Sequence, residues 1–314
     1  MRYKRRFQEI SADARGTARL SKESGLHRGG EVKKALRPET LKEAVEMMAG
    51  TEVIPLAGGT DLMVRHKRQG GLIPRFEKPV LFIGHIEELG LVVSEKSRIS
   101  IGPCCTYSSL MNDRRVPEIL RTCIRNIAAP AIRNRGTLGG NICNASPAGD
   151  TIPVLAALGA SLILSKADGR RTILIDEFIT GPGATVRETD ELLTGIIVPQ
   201  TKYGCSFYRK VGTRSYNSLS KVSIVGLMKV EGERVSDVRV SFGAVAPTVV
   251  RSRAIEEKII GTPIADIRNL IPQICEKYSE LITPIDDQRS IGRYRKAVSL
   301  NLLRFFFEHC ASKS

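Results

Sequence analysis

Two glycine-rich turns hold the residues best suited to chemistry in this chain: Leu56-Ala57-Gly58-Gly59-Thr60-Asp61-Leu62 and Gly136-Thr137-Leu138-Gly139-Gly140-Asn141. Glycine lets the backbone turn sharply and lets its N–H groups approach a ligand closely. A concavity of such amides binds phosphate. Thr60 and Thr137 add hydroxyl donors. Two such turns, brought together, would grip the two phosphates of one dinucleotide. Each alone is also what an ordinary turn looks like. No G-x-x-x-x-G-K-[ST] is present, and no G-x-G-x-x-G follows the first strand pattern. The P-loop and the Rossmann fingerprint are therefore excluded.

Other kinds of chemistry find no support. The histidines His27, His66, His85 and His309 are scattered, and none lies in a glycine turn. No Ser–His–Asp or metal-ligand spacing stands out, so we expect no catalytic side chain and no metal site. The seven cysteines are odd in number and form no C-x-x-C. That argues against a disulfide framework and against zinc or iron–sulfur ligation by this chain alone. Free thiols and no apolar signal segment point to a cytoplasmic protein.

The elements that position the turns follow from periodicity. Leu41, Ala44, Val45 and Met48 share one helix face, with Thr40 and Glu43 as a capping box. Val53 to Ala57 and Val80 to Ile83 are short apolar strands around the first turn. Ile99 to Gly102 is a strand, and Tyr107 to Asn112 and Val116 to Ala128 are helical. Arg133 to Ile142 is expected to be a turn-rich loop, and Asp150 opens an apolar helix, Thr151 to Gly159. Ser161 to Ser165 and Arg171 to Leu174 form a hairpin about Asp168-Gly169. Three strands follow, Ser206 to Val211, Val222 to Val230 and Val238 to Phe242. The last helix, Tyr294 to His309, places Val298, Leu302, Phe305 and Phe306 on one face. The pattern is α+β.

The net charge is +15, and residues 1–37 hold eleven Lys/Arg against four acids. A basic segment suits nucleic acid or an anionic surface, but it equally suits a solvated tail at 1–31, the reading adopted here. Aromatic side chains for base stacking are few. A nucleic-acid-binding protein is therefore a remote alternative, and no nucleic-acid partner is expected. No run approaches the roughly 20 apolar residues of a membrane span.

With these residues in view, the chain resembles the flavoprotein family of the molybdenum hydroxylases, which includes the medium subunits of xanthine and carbon monoxide dehydrogenases. The resemblance rests on Pro55–Leu62, on the run 131–144, and on Ala145-Ser146-Pro147-Ala148-Gly149-Asp150. It continues through Phe178-Ile179-Thr180-Gly181-Pro182-Gly183, Phe207-Tyr208-Arg209-Lys210-Val211-Gly212-Thr213-Arg214 and Ser241-Phe242-Gly243-Ala244-Val245-Ala246-Pro247. It implies an FAD-binding domain of the PCMH, or vanillyl-alcohol-oxidase-like, type at 32–202, in two subdomains at about 32–84 and 85–202. A smaller domain of three strands plus helices follows at 203–314.

The resemblance also implies roles. Leu56 to Asp61 and Thr137 to Asn141 would cradle the pyrophosphate and adenosine part of FAD, with amides from both turns converging on the diphosphate. Asp150 would accept hydrogen bonds from the cofactor, or cap the Thr151 helix, or do both. Leu193 and Lys210 would line the flavin region, Lys210 as a cation favouring the reduced form or as a plain surface lysine. Ile127 falls where relatives place a side chain against the ring. Asn141 is a ligand donor or a residue in a left-handed turn. Arg133 and Arg135 would sit near phosphates, or in solvent or between subunits.

The implied partners are a large molybdopterin subunit and a small subunit with two [2Fe–2S] clusters. Electrons would pass through FAD to NAD+ or another acceptor. Thr180-Gly181-Pro182-Gly183 is most similar to purine-type relatives, which favours xanthine or hypoxanthine as the substrate of the complex. No cysteine-rich insertion like that of the 4-hydroxybenzoyl-CoA reductase type occurs, so no iron is expected in this chain. A stand-alone FAD oxidase is the enzymatic alternative; it would need acid–base residues that the sequence does not offer.

Overall fold

The computed structural model describes residues 35–67, 75–214 and 217–312. The expected basic tail at 1–31 lies outside them.

Thr40 starts the first helix, Leu41–Gly50, by accepting a hydrogen bond from the Glu43 amide at 3.2 Å. The Glu43 carboxylate returns to the Glu39 amide at 2.7 Å, one residue earlier than a capping box would have it. The helix buries Ala44, Val45 and Met48. Beneath it, three short parallel strands pair in the order Ala35–Leu36, Val80–Phe82, Ile54–Leu56. The third of these delivers the first glycine turn.

The second sheet is antiparallel and five-stranded. Its order is Val92–Ser94, Arg98–Ile101, Leu192–Pro199, Ser161–Lys166, Gly169–Leu174. The Asp168-Gly169 hairpin forms as expected, with Lys166 opposite Gly169. The expected loop at 133–142 is mostly helical: Pro130–Arg133 makes one turn, and Leu138–Asn144 a longer one capped by Thr137. Paired glycines cost a helix about 1 kcal/mol each, so propensity argues for a loop. Tertiary packing overrides it, because Gly139 lies where a Cβ would overlap Pro103.

All eight residues of the Thr151–Leu158 helix are buried. A helix apolar on every side belongs in an interior, and this one lies between the second and third sheets. Ser241 donates to the Pro153 carbonyl at 2.6 Å, and Arg251 to that of Ala156 at 2.6 Å. Val225 and Leu227 of the third sheet join Leu155 and Leu158 in one core.

The third sheet runs Cys205–Val211, Val222–Glu231, Arg234–Gly243, Val250–Arg251. Its last strand, only two residues long, adds to the three expected. Helices Ile267–Leu281 and Gly292–Ala311 cover it. The final helix is rotated from its expected face: it buries Arg295, Ser299, Leu303, Phe306, Phe307 and Cys310, while Phe305 is 47 % exposed. Arg295 explains part of this, being held inward by Asp287 at 2.5 Å and the Ala244 carbonyl at 3.1 Å. Gly226 explains the rest, since any side chain there would strike the Phe306 ring. Cys310 is disulfide-bonded to Cys205, which corrects the expectation that all seven thiols are free. Cys104, Cys105, Cys123, Cys143 and Cys275 remain reduced. No helix among the described residues is long and apolar enough to cross a membrane.

Candidate cofactor site

The two glycine turns pack directly against each other. A Cβ on Gly58 would overlap the Arg135 carbonyl oxygen and lie 3.2 Å from the Gly136 Cα, so backbone meets backbone. Gly59 has φ of +74°, a left-handed conformation that glycine adopts without strain. Both turns line a cavity of about 610 Å³, well inside the range of small-molecule cofactor sites.

Their contributions differ. Among the described residues no protein acceptor meets the amides of Gly58, Gly59, Thr60 and Asp61. In the second turn the amides that follow Thr137 are already engaged. Leu138 donates to the Cys105 carbonyl at 3.1 Å, and Gly139 to that of Pro103 at 2.9 Å. Gly140 donates to the Thr137 hydroxyl at 3.1 Å, and Asn141 to the Thr137 carbonyl at 3.1 Å. Of the amides expected to converge from both turns, the open ones are those of Gly58 to Asp61 and, in the second turn, that of Thr137. The first turn offers most of the donors, and the second brings up the Gly136 backbone against which Gly58 packs.

Fourteen of the fifteen residues predicted from the sequence line the cavity. These are Leu56 to Asp61, Ile127, Thr137, Gly139, Gly140, Asn141, Asp150, Leu193 and Lys210. Leu138 is the exception, with its side chain wholly buried in the core. Asn141 is helical, and its side-chain oxygen accepts from the Thr151 hydroxyl at 2.6 Å. The left-handed residue is Ala145, φ +47°, which ends that helix.

Arg133 and Arg135 do not line the cavity. Arg133 instead donates to the carbonyls of Ile127 at 2.6 Å and Ala128 at 3.0 Å. Two arginines that sequence reasoning missed are in the wall, Arg65 and Arg187. Arg65 pairs with the Asn144 side-chain oxygen and stands 4.0 Å from Asp61. Arg187 is held by the carbonyls of Glu188 at 2.9 Å and Glu191 at 2.7 Å. Arg65 carried one weak signal, its i,i+4 spacing from Asp61. Arg187 carried none, because it reaches the cavity only after the Ile179–Gly181 and Ala184–Thr185 strands fold back.

Asp150 does not cap the Thr151 helix. Its carboxylate pairs with Lys210 at 2.6 Å and accepts from the Ser220 hydroxyl. Both side chains of the ion pair are 8 % exposed, so Lys210 is no surface lysine. Burial pushes the Asp150 carboxyl up, while Lys210 and Ser220 pull it down. The site thus combines open amides, three cations and an apolar wall from Ile127, Leu192 and Leu193. Such a surface suits a ligand with a diphosphate and a flat aromatic part.

Residues 30–201 match the family described as the FAD binding domain in molybdopterin dehydrogenase. Residues 207–310 match the CO dehydrogenase flavoprotein C-terminal domain. The chain is 32 % identical to the glyceraldehyde dehydrogenase medium chain of Sulfolobus acidocaldarius, covering 84 % of this chain and 92 % of that one. It is 29 % identical to a putative xanthine dehydrogenase FAD-binding subunit of Escherichia coli, covering 85 % and 91 %. The solved carbon monoxide dehydrogenase of Hydrogenophaga pseudoflava superposes with a TM-score of 0.81 at 25 % identity, covering 90 % of this chain and 98 % of that chain. With the matched domains spanning most of the sequence, this chain belongs to the FAD-binding medium subunits of the molybdenum hydroxylases and is an oxidoreductase subunit.

Proposed function

We propose that this chain is the electron-exit subunit of a molybdenum hydroxylase, working beside a molybdopterin subunit and a small subunit with two [2Fe–2S] clusters. Bound FAD would supply the redox chemistry, taking electrons from the clusters and passing them to NAD+ or another acceptor. The protein's own part is to bind, orient and tune. The amides of Gly58 to Asp61 are placed to hold a phosphate oxygen, and Arg65 and Arg187 to neutralise the diphosphate. Ile127, Leu192 and Leu193 give an apolar seat for the ring, and Lys210 a cation beside it. The backbone of Arg135 and Gly136 supports the first turn at Gly58, and Thr137, Gly139 and Gly140 line the cavity beside it.

The observation that carries this reading is the unpaired amide run of Gly58 to Asp61, opening on a cavity that also holds Arg65, Arg187 and Lys210. Polar groups there without partners would cost about 1–3 kcal/mol each if they were sealed from water, so the arrangement suits an anionic ligand. Purine hydroxylation by the whole complex is the preferred activity, on the Thr180–Gly183 motif alone.

The purified full chain should show a flavin absorption band and bind FAD in equal proportion. The native complex should contain molybdenum and iron and reduce NAD+ or a dye with xanthine. A purified chain that stays colourless and takes up no added FAD overturns the reading. A flavin-loaded complex inert with purines but active with an aldehyde would revise the substrate only.

A further inference from the structure

One group of polar side chains in the wall is tied together more tightly than cofactor binding requires. Lys210 donates to the Asn126 carbonyl at 3.1 Å and to Asp150 Oδ2 at 2.6 Å. The other carboxylate oxygen, Oδ1, accepts from the Ser220 hydroxyl. The Asp150 backbone is also held, because the Cys123 thiol donates to its carbonyl at 3.2 Å. Ser220 is 1 % exposed and, unlike its neighbours Ser218 and Leu219, does not line the cavity. Its hydroxyl is thus turned away from the cavity and onto Asp150, through which it is placed to act.

We infer that Ser220 and Asp150 are positioning residues that aim the Lys210 ammonium into the cofactor cavity, where it favours the reduced form of bound FAD. The inference rests on the FAD-binding function proposed above. An ammonium has three N–H donors. Two are committed to the Asp150 carboxylate and the Asn126 carbonyl, which leaves one for the cavity that Lys210 lines. Reduction adds negative charge to the ring, so a fixed cation beside it holds the reduced form more tightly than the oxidised one.

Asp150 was expected to be a cofactor acceptor. Each of its oxygens has one protein donor and a further lone pair, so it can hold the lysine and still face the cavity that it lines. A purely structural ion pair is a weak explanation for this network, because a buried pair is often no more stabilising than apolar residues of the same volume. Ser220 is also inexplicable as a local cap: it is 70 residues from Asp150 and reaches it only across the folded chain.

A double-mutant cycle on the full FAD-loaded chain separates these roles. Lys210→Met should lower the preference for reduced over oxidised flavin about tenfold, the scale of one hydrogen bond to a charged group. For a two-electron couple that is about 30 mV in midpoint potential, read by equilibration with a reference dye. Ser220→Ala should shift the potential in the same direction by a smaller factor. In the Lys210→Met background, Ser220→Ala should cause no further shift. The inference falls if the Ser220→Ala shift is the same in both backgrounds, if Ser220→Ala alone leaves the potential unchanged, or if Lys210→Met does. Should Ser220→Ala not fold, Ser220→Cys, nearly equal in size and a weaker donor, takes its place in the cycle. A wild-type chain that binds no FAD would instead defeat the proposed function itself, before any variant is made.

Discussion

Gly58→Ala is the sharpest test of how the two turns build the site. The added methyl would overlap the Arg135 carbonyl oxygen and approach the Gly136 Cα at 3.2 Å. Both neighbours are backbone, so no rotamer change relieves the clash, and the turns must part. Overpacking of this kind costs about 1–3 kcal/mol. If FAD binding needs the turns in contact, the same energy reappears as weaker affinity, about 5- to 150-fold. Titration of the apo chain with FAD, followed by flavin fluorescence, measures it, and a melting curve shows how much of the cost falls on folding. Gly50→Ala is the matched control, because nothing lies within 4 Å of a Cβ there. A Gly58→Ala chain that binds FAD within about twofold of wild type and melts with it would refute the apposition of the turns.

Three further outcomes are expected. Arg65→Met should weaken FAD binding about tenfold and flatten its dependence on salt, since one of the three cavity cations is lost; an unchanged salt slope would place Arg65 outside the phosphate contacts. Arg295 and neighbouring amides hold the Asp287 carboxyl down at about 2. Because its folded pKa is depressed, the stability it contributes is present above the unfolded value of about 3.9 and is lost as pH falls through about 2. Asp287→Asn should therefore remove part of the acid limb of a melting-temperature profile, and an identical limb in the variant would count against the pairing. The Cys205–Cys310 disulfide spans 105 residues, a loop length worth about 4.7 kcal/mol in chain entropy. Urea unfolding with and without reductant should then give clearly separated midpoints, whereas coincident midpoints would show that the bridge adds no stability.

Much of the architecture was legible from local signals. Thr40 before Leu41, the Asp168-Gly169 hairpin and the apolar Thr151–Leu158 run each declare themselves within a few residues, because capping, turn chemistry and periodicity act at that range. The glycine turns were legible as the floor of a site for the same reason. The errors came where a distant partner overruled a local preference. Leu138–Asn144 is a helix despite Gly139-Gly140, because the glycine surface abuts Pro103. The last helix shows Phe305 to solvent because Arg295 and Phe306 find partners in Asp287 and against Gly226.

By itself, the sequence determined the α+β order of elements, the absence of P-loop and Rossmann motifs, and the two glycine turns that reach the cavity. These are matters of residue type and short spacing, which the chain carries wherever it folds. The tertiary structure alone decided which amides stay open, Gly58 to Asp61 and not Leu138 to Asn141. It alone brought Arg65 and Arg187 into the wall, joined Ser220 to Asp150 and Lys210, and closed Cys205 onto Cys310. Hydrogen bonds, ion pairs and disulfides between residues far apart in the chain depend on where packing leaves the groups, and no short-range pattern encodes that.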